Sequence, residues 1–268
     1  MMQGSASVCP RLSLCPDKMP LFTSEALILR TYKLGETDRI VVFLTRDRGK
    51  RRGVAKGARR LRSRFTGVLE PLTVARVAYF ERESKGLVRL NYVEALHSPF
   101  SSSDPDSLGY VGYFVELLDQ WALDADPNER LYRLGASVVE ALAQEQRIER
   151  LVRYFEFWVL RLEGVYPEIV NCPRCGKGMS RYGAWFVLSE RVLVCQACRV
   201  GGSGLALSPA AVTFLQRSAK TSPDNLGDVE LTERVSRELE VAHKALISTH
   251  LDRELKSTKV LRETRLAT

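Results

Sequence analysis

The stretch RIVVFLTRDRGKRRGVAKGARRLRSRF, residues 39–65, joins an apolar run to the most basic segment of the chain. Its first seven residues are almost continuously apolar, which predicts a buried strand. RGVAKG at 52–57 is a second short β-forming run, and Gly49 punctuates the chain between the two. The stretch therefore predicts two short strands, with positive charge between and after them.

Three further β-forming runs surround this stretch: SEALILRTY at 24–32, LTVARVAYF at 72–80 and GLVRLNYVEAL at 86–96. Together they make five short strands within residues 20–98, with no long helix between them. This pattern predicts an antiparallel barrel, because the strands of a parallel sheet alternate with helices. A single small closed sheet of this kind is typical of an OB-fold.

The remainder of the chain, residues 99–268, shows a helical pattern. SPFSSSDPDS at 98–107 has no periodicity and marks the boundary. Beyond it, apolar residues recur at three- and four-residue spacing. In LSPAAVTFLQRS, Ser208 is suited to cap a helix that begins at Pro209. The predicted fold class is therefore α+β with more than one domain, an OB-fold barrel at 20–98 followed by an α-helical domain at 99–268.

Four cysteines of the second domain form two Cys-x-x-Cys pairs, CPRC and CQAC. The nineteen residues between the pairs have the aromatic and β-branched composition of two strands. Each pair can lie on a tight turn, so the four thiolates can meet around one Zn²⁺. Four cysteine ligands leave no position for water, so the embedded zinc ribbon at 170–200 is predicted to be structural. The sequence leaves open whether the ribbon also binds nucleic acid. The predicted ligands are Cys172, Cys175, Cys195 and Cys198.

Composition and motifs exclude several classes of protein. The chain has 268 residues, 45% of them hydrophobic, and no apolar run long enough for a membrane-spanning helix. Residues 1–19 lack the pattern of a secretory signal, so we expect a disordered leader or a start codon assigned too early. The cysteine spacing does not indicate a disulfide framework, which favours a reducing cytosol. No phosphate-binding loop, zinc-protease motif or nucleophile elbow is present, so we do not expect an enzyme.

Residues 46–64 are the feature that most directly suggests a function. Ten of the nineteen residues are Lys or Arg and one is acidic, so the formal charge of +9 exceeds the +8 of the whole chain. The segment is internal, interrupted by glycines and followed by Phe65, unlike a disordered basic tail. It also lacks the apolar stripe of a membrane-binding helix. These features favour nucleic acid over a solvated face. The rings available for base stacking are Tyr32, Phe43, Phe65, Tyr79 and Tyr92, of which we expect one or two at the surface.

Residues 26–71, ALILRTYKLGETDRIVVFLTRDRGKRRGVAKGARRLRSRFTGVLEP, closely resemble the N-terminal module of the bacterial RecO recombination-mediator proteins. The order G-E-x-D-R-I, then G-K-x-x-G-V-A-K-G-A-R-R, then S-R-F is specific to that module. RYFEFWVLRLEGVYPEI at 153–169, the cysteine pairs and LSPAA at 207–211 resemble the family's C-terminal region. The resemblance covers about residues 21–220 and includes all four cysteines, which some members lack.

The resemblance implies an OB-fold followed by a helical domain with an embedded zinc ribbon, and a non-enzymatic function in DNA repair and recombination. RecO proteins bind single- and double-stranded DNA, anneal complementary strands and act with RecR to load RecA onto DNA coated by single-strand-binding protein (SSB). They also bind the acidic C-terminal tail of SSB. We therefore expect a cytoplasmic, nucleoid-associated bacterial protein. The alternatives are a zinc-ribbon RNA-binding protein and a scaffold for an acidic protein partner, with a nuclease as a weaker third.

The resemblance and the charge select different residues for contact with DNA. We expect some of these cations to contact RecR or to form salt bridges within the barrel instead. The positions that match the family motif are Arg39, Lys50, Lys56, Arg59, Arg60 and Arg64. The local charge adds Arg46, Arg48, Arg51, Arg52 and Arg62, with Phe65 as the candidate ring.

The site for the SSB tail is predicted from a different pair of residues. An acidic peptide that ends in an aromatic residue needs a cation beside an apolar groove. Arg153 and Phe157 lie on one face of a predicted helix and offer both groups. Ordinary helix packing is the alternative for Phe157.

Overall fold

The computed structural model of the chain describes residues 20–81, 86–101, 105–142, 147–199 and 204–267. The predicted leader at 1–19 lies outside these residues. The strands of the described part are Leu21–Leu34 (β1), Asp38–Thr45 (β2), Gly49–Ala55 (β3), Val74–Phe80 (β4), Val88–His97 (β5), Ala184–Val187 (β6), Val192–Cys195 (β7) and Gly204–Leu207 (β8). Its α-helices are Pro105–Gly109 (α1), Val111–Trp121 (α2), Glu129–Leu142 (α3), Ile148–Leu162 (α4), Pro209–Ser218 (α5), Glu233–Leu251 (α6) and Lys256–Ala267 (α7). Short 3₁₀ turns occur at Pro99–Ser101, Gln196–Cys198 and Pro223–Asp228.

Strands β1 to β5 close into a barrel in the order β1-β2-β3-β5-β4. This arrangement confirms the predicted OB-fold. One feature differs from a purely antiparallel barrel, because β3 and β5 pair in parallel, Gly53 with Val88 and Val54 with Arg89. An odd number of strands cannot close with antiparallel pairs alone, so five strands require one parallel pair.

The apolar run of β2 is buried on both faces of the sheet. Val41 and Phe43 point into the core of the barrel, and Val42 and Leu44 point outward into a second core that the barrel shares with the helices. Strand β1 alternates between the same two cores. A strand that is covered on both faces has no need of polar residues at alternate positions, which explains the nearly continuous apolar sequence.

Helices α2 and α3 cover the outer face of β1 and β2. Gly135 of α3 lies directly against Leu27 of β1, and a Cβ atom at this glycine would overlap Leu27 and Leu118 of α2. Leu27 and Leu118 belong to one apolar core that extends through the helices. The barrel therefore packs on the helices through buried apolar surface, which is the main stabilising contribution at such a contact.

Lys50 at the start of β3 adds a polar contact between the barrel and the helices. Its Nζ donates to the backbone oxygen of Asp119 at 2.7 Å and to the Asp119 carboxylate at 3.3 Å. The backbone takes part as well, since Lys50 N–H donates to the oxygen of Leu123 and Ala125 N–H donates to the oxygen of Lys50. Gly49 must be glycine here, because it has a φ of 70° and a Cβ atom would overlap the backbone of Asp126. We call these contacts of Lys50 with residues 119–125 the Lys50 clamp.

The region after α4 contains a small sheet in the order β7-β6-β8. Strands β6 and β7 are the two strands predicted between the cysteine pairs, whereas β8 was not predicted. Helix α5 begins as predicted, because the Ser208 Oγ accepts a hydrogen bond from Ala211 N–H at 3.2 Å and Pro209 opens the helix. None of the described helices has both the length and the apolar character needed to cross a membrane.

The Lys50 clamp makes a prediction about stability. Lys50→Ala should lower the free energy of unfolding by about 2 kcal/mol, because Asp119 loses a charged donor in a site where the lysine side chain is only 10% exposed. Lys56→Ala, at an exposed position of the same basic segment, should change it by less than about 0.5 kcal/mol. Urea denaturation followed by circular dichroism measures both. Equal effects of the two substitutions would show that the clamp does not stabilise the fold.

Candidate nucleic-acid interface and metal centre

The basic segment divides into two parts with different surroundings. In the first part, residues 46–52, every cation has an acidic partner. Arg46 lies 3.0 Å from Glu129, and Arg51 lies 3.2 Å from Glu81. These contacts direct the cations of the first part toward the rest of the protein. The remaining pairs are Arg48 with Glu81 at 3.8 Å, Lys50 with Asp119 at 3.3 Å and Arg52 with Asp124 at 3.7 Å.

The second part, residues 56–64, has no such partners. In the ranges that the structure describes, no carboxylate lies within 4.0 Å of its five cations, and all five side chains are exposed. We call residues 56–64 the free basic loop. Arg39 of β2 resembles the loop, since its Nη1 donates to the Thr31 hydroxyl at 3.2 Å and it makes no ion pair with a described residue. The five cations are Lys56, Arg59, Arg60, Arg62 and Arg64.

Hydrogen bonds hold the free basic loop against the β1–β2 turn. Arg59 N–H donates to the oxygen of Thr37 at 2.9 Å, and the Arg59 side chain donates to the oxygen of Gly35 at 3.0 Å. Gly57 N–H donates to the Asp38 carboxylate at 2.8 Å, and this hydrogen bond lowers the pKa of Asp38. The loop thus presents its cations from a backbone that is fixed to the barrel.

The candidate rings divide between the surface and the core. Tyr32 and Tyr92 are about half exposed, as expected for one or two of the five rings. Phe43 and Tyr79 lie in the barrel core. Phe65 lies there too and is only 2% exposed. A base cannot stack on a ring that is buried on both faces, so Phe65 has no place in the DNA surface. It anchors the end of the free basic loop instead.

The four predicted metal ligands converge. Their Sγ atoms all lie within 4.8 Å of one another, and those of Cys175 and Cys195 are 3.6 Å apart. Thiolates bound to one Zn²⁺ at about 2.3 Å would be about 3.8 Å apart in a tetrahedron, so the spacing suits a metal ion. The turn at the first pair is tight, because Cys172 N–H donates to the oxygen of Lys177 and Gly176 N–H donates to the oxygen of Cys172. The four cysteines are free thiols that could hold a metal.

The surroundings act in opposite directions on two of the cysteines, since hydrogen bonds with the Cys175 and Cys195 side chains raise the pKa of Cys198 to about 12 while that of Cys172 is lowered. Burial raises the pKa of Cys172, but hydrogen bonds from backbone N–H groups, including that of Cys195, outweigh it and lower the pKa to about 6. Arg174 brings positive charge to the cluster and is held in place by the backbone oxygen of Cys198 at 3.0 Å and by Glu190 at 2.7 Å. Because metals bind the thiolate, the groups that lower the pKa of Cys172 assist metal binding at that ligand.

The two residues predicted to hold the SSB tail are both buried. Phe157 is fully enclosed by the helical core, in agreement with the alternative of ordinary packing. Arg153 is 4% exposed and forms an ion pair with Glu156 at 3.0 Å. Glu156 also accepts hydrogen bonds from the Tyr113 hydroxyl at 2.5 Å and from His243 Nδ1 at 2.9 Å. Arg153 therefore belongs to a buried polar cluster.

A small cavity of about 60 Å³ opens beside this cluster, between α2, α4, α6 and α7. Tyr110, Ile247 and Leu255 give it apolar walls, and Lys244 lies at its edge. Arg153 reaches the cavity, and its Nε has no hydrogen-bond partner in the described part of the chain. The carboxylates of Glu156 and Glu240 line the cavity as well. Both cations are paired, Arg153 with Glu156 and Lys244 with Glu254 at 3.1 Å.

Comparison with known proteins identifies the family. Residues 19–99 match the family model described as Recombination protein O N terminal, and residues 102–259 match Recombination protein O C terminal. The chain is 31% identical to DNA repair protein RecO of Koribacter versatilis over 240 residues, which cover 89% of this chain and 97% of that protein. For the RecO proteins of Geobacter metallireducens and a Nocardioides species the identities are 32% and 35%, over 90% and 88% of this chain and 96% and 97% of theirs.

The chain belongs to the RecO family. The resemblance seen in the sequence is therefore confirmed for both regions.

The cations at positions of the RecO motif differ from the other cations of the basic segment in their ion pairs. Five of the six cations chosen from the motif lack an ion pair among the described residues, and Lys50 is the exception. Of the five chosen on charge alone, only Arg62 lacks one. Position in the RecO motif thus separated free cations from paired ones better than charge density did.

Sequence reasoning missed the acidic partners and the cavity. Asp119 and Glu129, which engage Lys50 and Arg46, lie about seventy to eighty residues further along the chain, so no local pattern connects them. Tyr110 and Lys244 come from two distant helices. The sequence contained one sign of the buried polar cluster, because Arg153 and Glu156 lie three residues apart on a helix that is otherwise rich in apolar residues.

The cysteine cluster predicts that a bound metal stabilises the fold. Cys172→Ser/Cys175→Ser should abolish binding of one metal equivalent, cost about 3 kcal/mol and lower Tm by roughly 6–12 °C. Cys9→Ser/Cys15→Ser, which removes two cysteines outside the cluster, should leave both quantities unchanged. Elemental analysis and thermal denaturation measure them. Full metal content in the first variant would exclude the assigned ligands.

Proposed function

We propose that the chain is a non-enzymatic mediator of DNA repair and recombination that binds single- and double-stranded DNA and anneals complementary strands. The observation that carries the proposal is the free basic loop, whose five exposed cations have no carboxylate within 4.0 Å among the described residues. Membership in a family whose relatives are named DNA repair proteins supports the repair role. The proposed location is the bacterial cytoplasm, in association with the nucleoid.

The proposed mechanism is electrostatic. Two phosphate backbones repel each other, and cations placed between them reduce that repulsion until base pairing supplies the free energy of annealing. Phosphate contacts also release counterions, so affinity should fall steeply as salt rises and depend little on sequence. Arg39 and the free basic loop would supply these contacts, whereas the cations at 46–52 remain engaged in ion pairs within the protein.

The proposed metal is one structural Zn²⁺. Four thiolates that converge are the usual ligands of a structural zinc site, and they leave no coordination position for a substrate. Cys172, Cys175, Cys195 and Cys198 would hold the ion and fix the turns on either side of β6 and β7.

The proposed partners are RecR and SSB, with RecA loaded indirectly. We assign the acidic tail of SSB to the cavity beside Arg153. Its carboxylates would replace Glu240 at Arg153 and Glu254 at Lys244, and an aromatic end would contact Tyr110 and Ile247. Phe157 is left out because its ring is fully buried.

The annealing proposal predicts a specific loss. Arg59→Ala/Arg60→Ala/Arg64→Ala should slow annealing of SSB-coated complementary oligonucleotides at least about tenfold. It should also reduce the slope of log K against log salt for a single strand by about 2, since each lost phosphate contact contributes about 0.7. Fluorescence energy transfer follows annealing, and anisotropy across a salt series gives the slope.

A charge-matched control separates the effect of losing the loop cations from the effect of lowering the net charge. Arg217, Lys220 and Arg234 are exposed on and near α5 and α6, so their triple alanine variant loses the same charge elsewhere. This control should anneal like the unmodified protein. If both triple variants anneal normally, the free basic loop is not the DNA site. A strong preference for ribose-containing strands would favour the RNA-binding alternative.

The cavity makes a separate prediction. Ser248→Phe should weaken binding of an acidic peptide with a C-terminal aromatic residue at least about tenfold, because Ser248 lines the cavity and a ring would fill it. Thr213→Phe, at an exposed position of α5, should bind the peptide normally. Titration of a fluorescent peptide tests both. Unchanged affinity in Ser248→Phe would place the tail elsewhere, and DNA binding should be unaffected in either variant.

A further inference from the structure

A row of side chains crosses the outer surface of the barrel near the β1–β2 turn. Tyr32 of β1 pairs with Ile40 of β2, Ile40 pairs with Val54 of β3, and Val54 pairs with Arg89 of β5. Residues that lie opposite each other on paired strands point to the same face of a sheet. The four side chains therefore form one continuous row, which we call the Tyr32 row.

The side chains two residues away on the same strands show which face of the barrel the Tyr32 row lies on. Residues two apart on a strand share a face, and the preceding row contains Arg30, Val42 and Arg52. Arg30 and Arg52 form ion pairs with Asp119 and Asp124, beside α2. The Tyr32 row is thus on the outer face of the sheet, immediately beyond the area that the helices cover.

The row remains accessible. Tyr32 is 51% exposed, and Ile40 and Val54 are partly exposed. Within the described ranges, no aromatic ring or guanidinium group stacks on Tyr32. An aromatic ring with an unused face, flanked by two aliphatic side chains, offers a flat apolar surface on the barrel.

Positive charge adjoins this surface. Arg89, the last member of the row, is exposed on this face. Lys33 and Arg39 pair one position beyond Tyr32 and Ile40, so their side chains point to the other face. The free basic loop is fixed to the turn of the same hairpin by Arg59. Two acidic residues lie at this end, Asp38 and the exposed Glu36, and Asp38 already accepts the Gly57 N–H. The arrangement is complementary to a ligand with apolar flat groups on an anionic chain, which describes a single strand of nucleic acid.

We propose that the Tyr32 row is a stacking platform for an unpaired base of single-stranded DNA. The base lies on the Tyr32 ring with Ile40 and Val54 beside it, while neighbouring phosphates contact Arg89 and the free basic loop. The platform rests on the proposed DNA-binding function and adds strand selectivity to it. A paired base keeps its faces in the duplex stack, so the platform strengthens binding of single strands only.

The test compares three substitutions and three DNA probes. Tyr32→Ala should bind an oligothymidylate about tenfold more weakly, in line with the loss of one base–aromatic contact. Tyr32→Phe keeps the ring and should bind within about twofold of the unmodified protein. Tyr92→Ala removes the other half-exposed tyrosine of the barrel, on β5, and should have no effect. Duplex DNA and an abasic oligonucleotide should bind Tyr32→Ala and the unmodified protein equally.

The outcomes distinguish the platform from the function on which it rests. If Tyr32→Ala binds the oligothymidylate normally while the loop triple variant binds weakly, the platform is wrong and the DNA-binding proposal stands. If the affinity of Tyr32→Ala falls by the same factor for all three probes, the substitution has disturbed the fold rather than a base contact, and the platform is again excluded. If the loop triple variant also binds every probe normally, the DNA site itself is misplaced.

Discussion

The contact of Lys50 with Asp119 ties the start of β3 to α2, beside the apolar surface through which the barrel packs on the helices. Around it, the neighbouring cations of β3 and the preceding turn reach acidic groups on α2, α3 and the end of β4. Each such pair gives the cation an acidic partner within the protein, although Arg46 and Arg52 remain at the surface. The chain continues past Ala55 away from these acids, and the cations from Lys56 onward are left exposed. One basic segment thus has a structural first part and a free second part.

This division gives the proposed function a physical basis. Exposed cations on an anchored loop can neutralise phosphates without first breaking ion pairs. A cation at 46–52 would have to give up its carboxylate partner for each phosphate that it contacts. The Tyr32 row lies beside the loop and adds a surface that only an unpaired base can use. Release of that base as it pairs with a complementary strand is compatible with annealing, because both strands remain near the same cations. The cysteine cluster and the Arg153 cavity are built from other elements of the chain.

Much of the fold was predictable from the sequence, because it depends on local patterns. The five strands, the cap at Ser208 and the four cysteines each follow from residue type and spacing. The parallel pairing of β3 with β5 follows from closure of an odd number of strands, which requires knowledge of the topology. The partners of Lys50 and Arg46 could not be predicted, since ion pairs between distant segments leave no periodic trace. Phe65 shows the same limit, because a ring after a basic run can be either a stacking group or an anchor, and only packing decides between them.

Two lysines of the basic segment allow the most direct test. Chemical acetylation of the protein, with and without bound oligothymidylate, can be read at each lysine by mass spectrometry. Lys56 should react readily in the free protein and be protected by DNA, whereas Lys50, which is 10% exposed and bonded to Asp119, should react poorly in both states. Equal reactivity of the two lysines in the free protein would contradict the structural role of Lys50. Unchanged reactivity of Lys56 with DNA bound would contradict the assignment of the free basic loop to DNA.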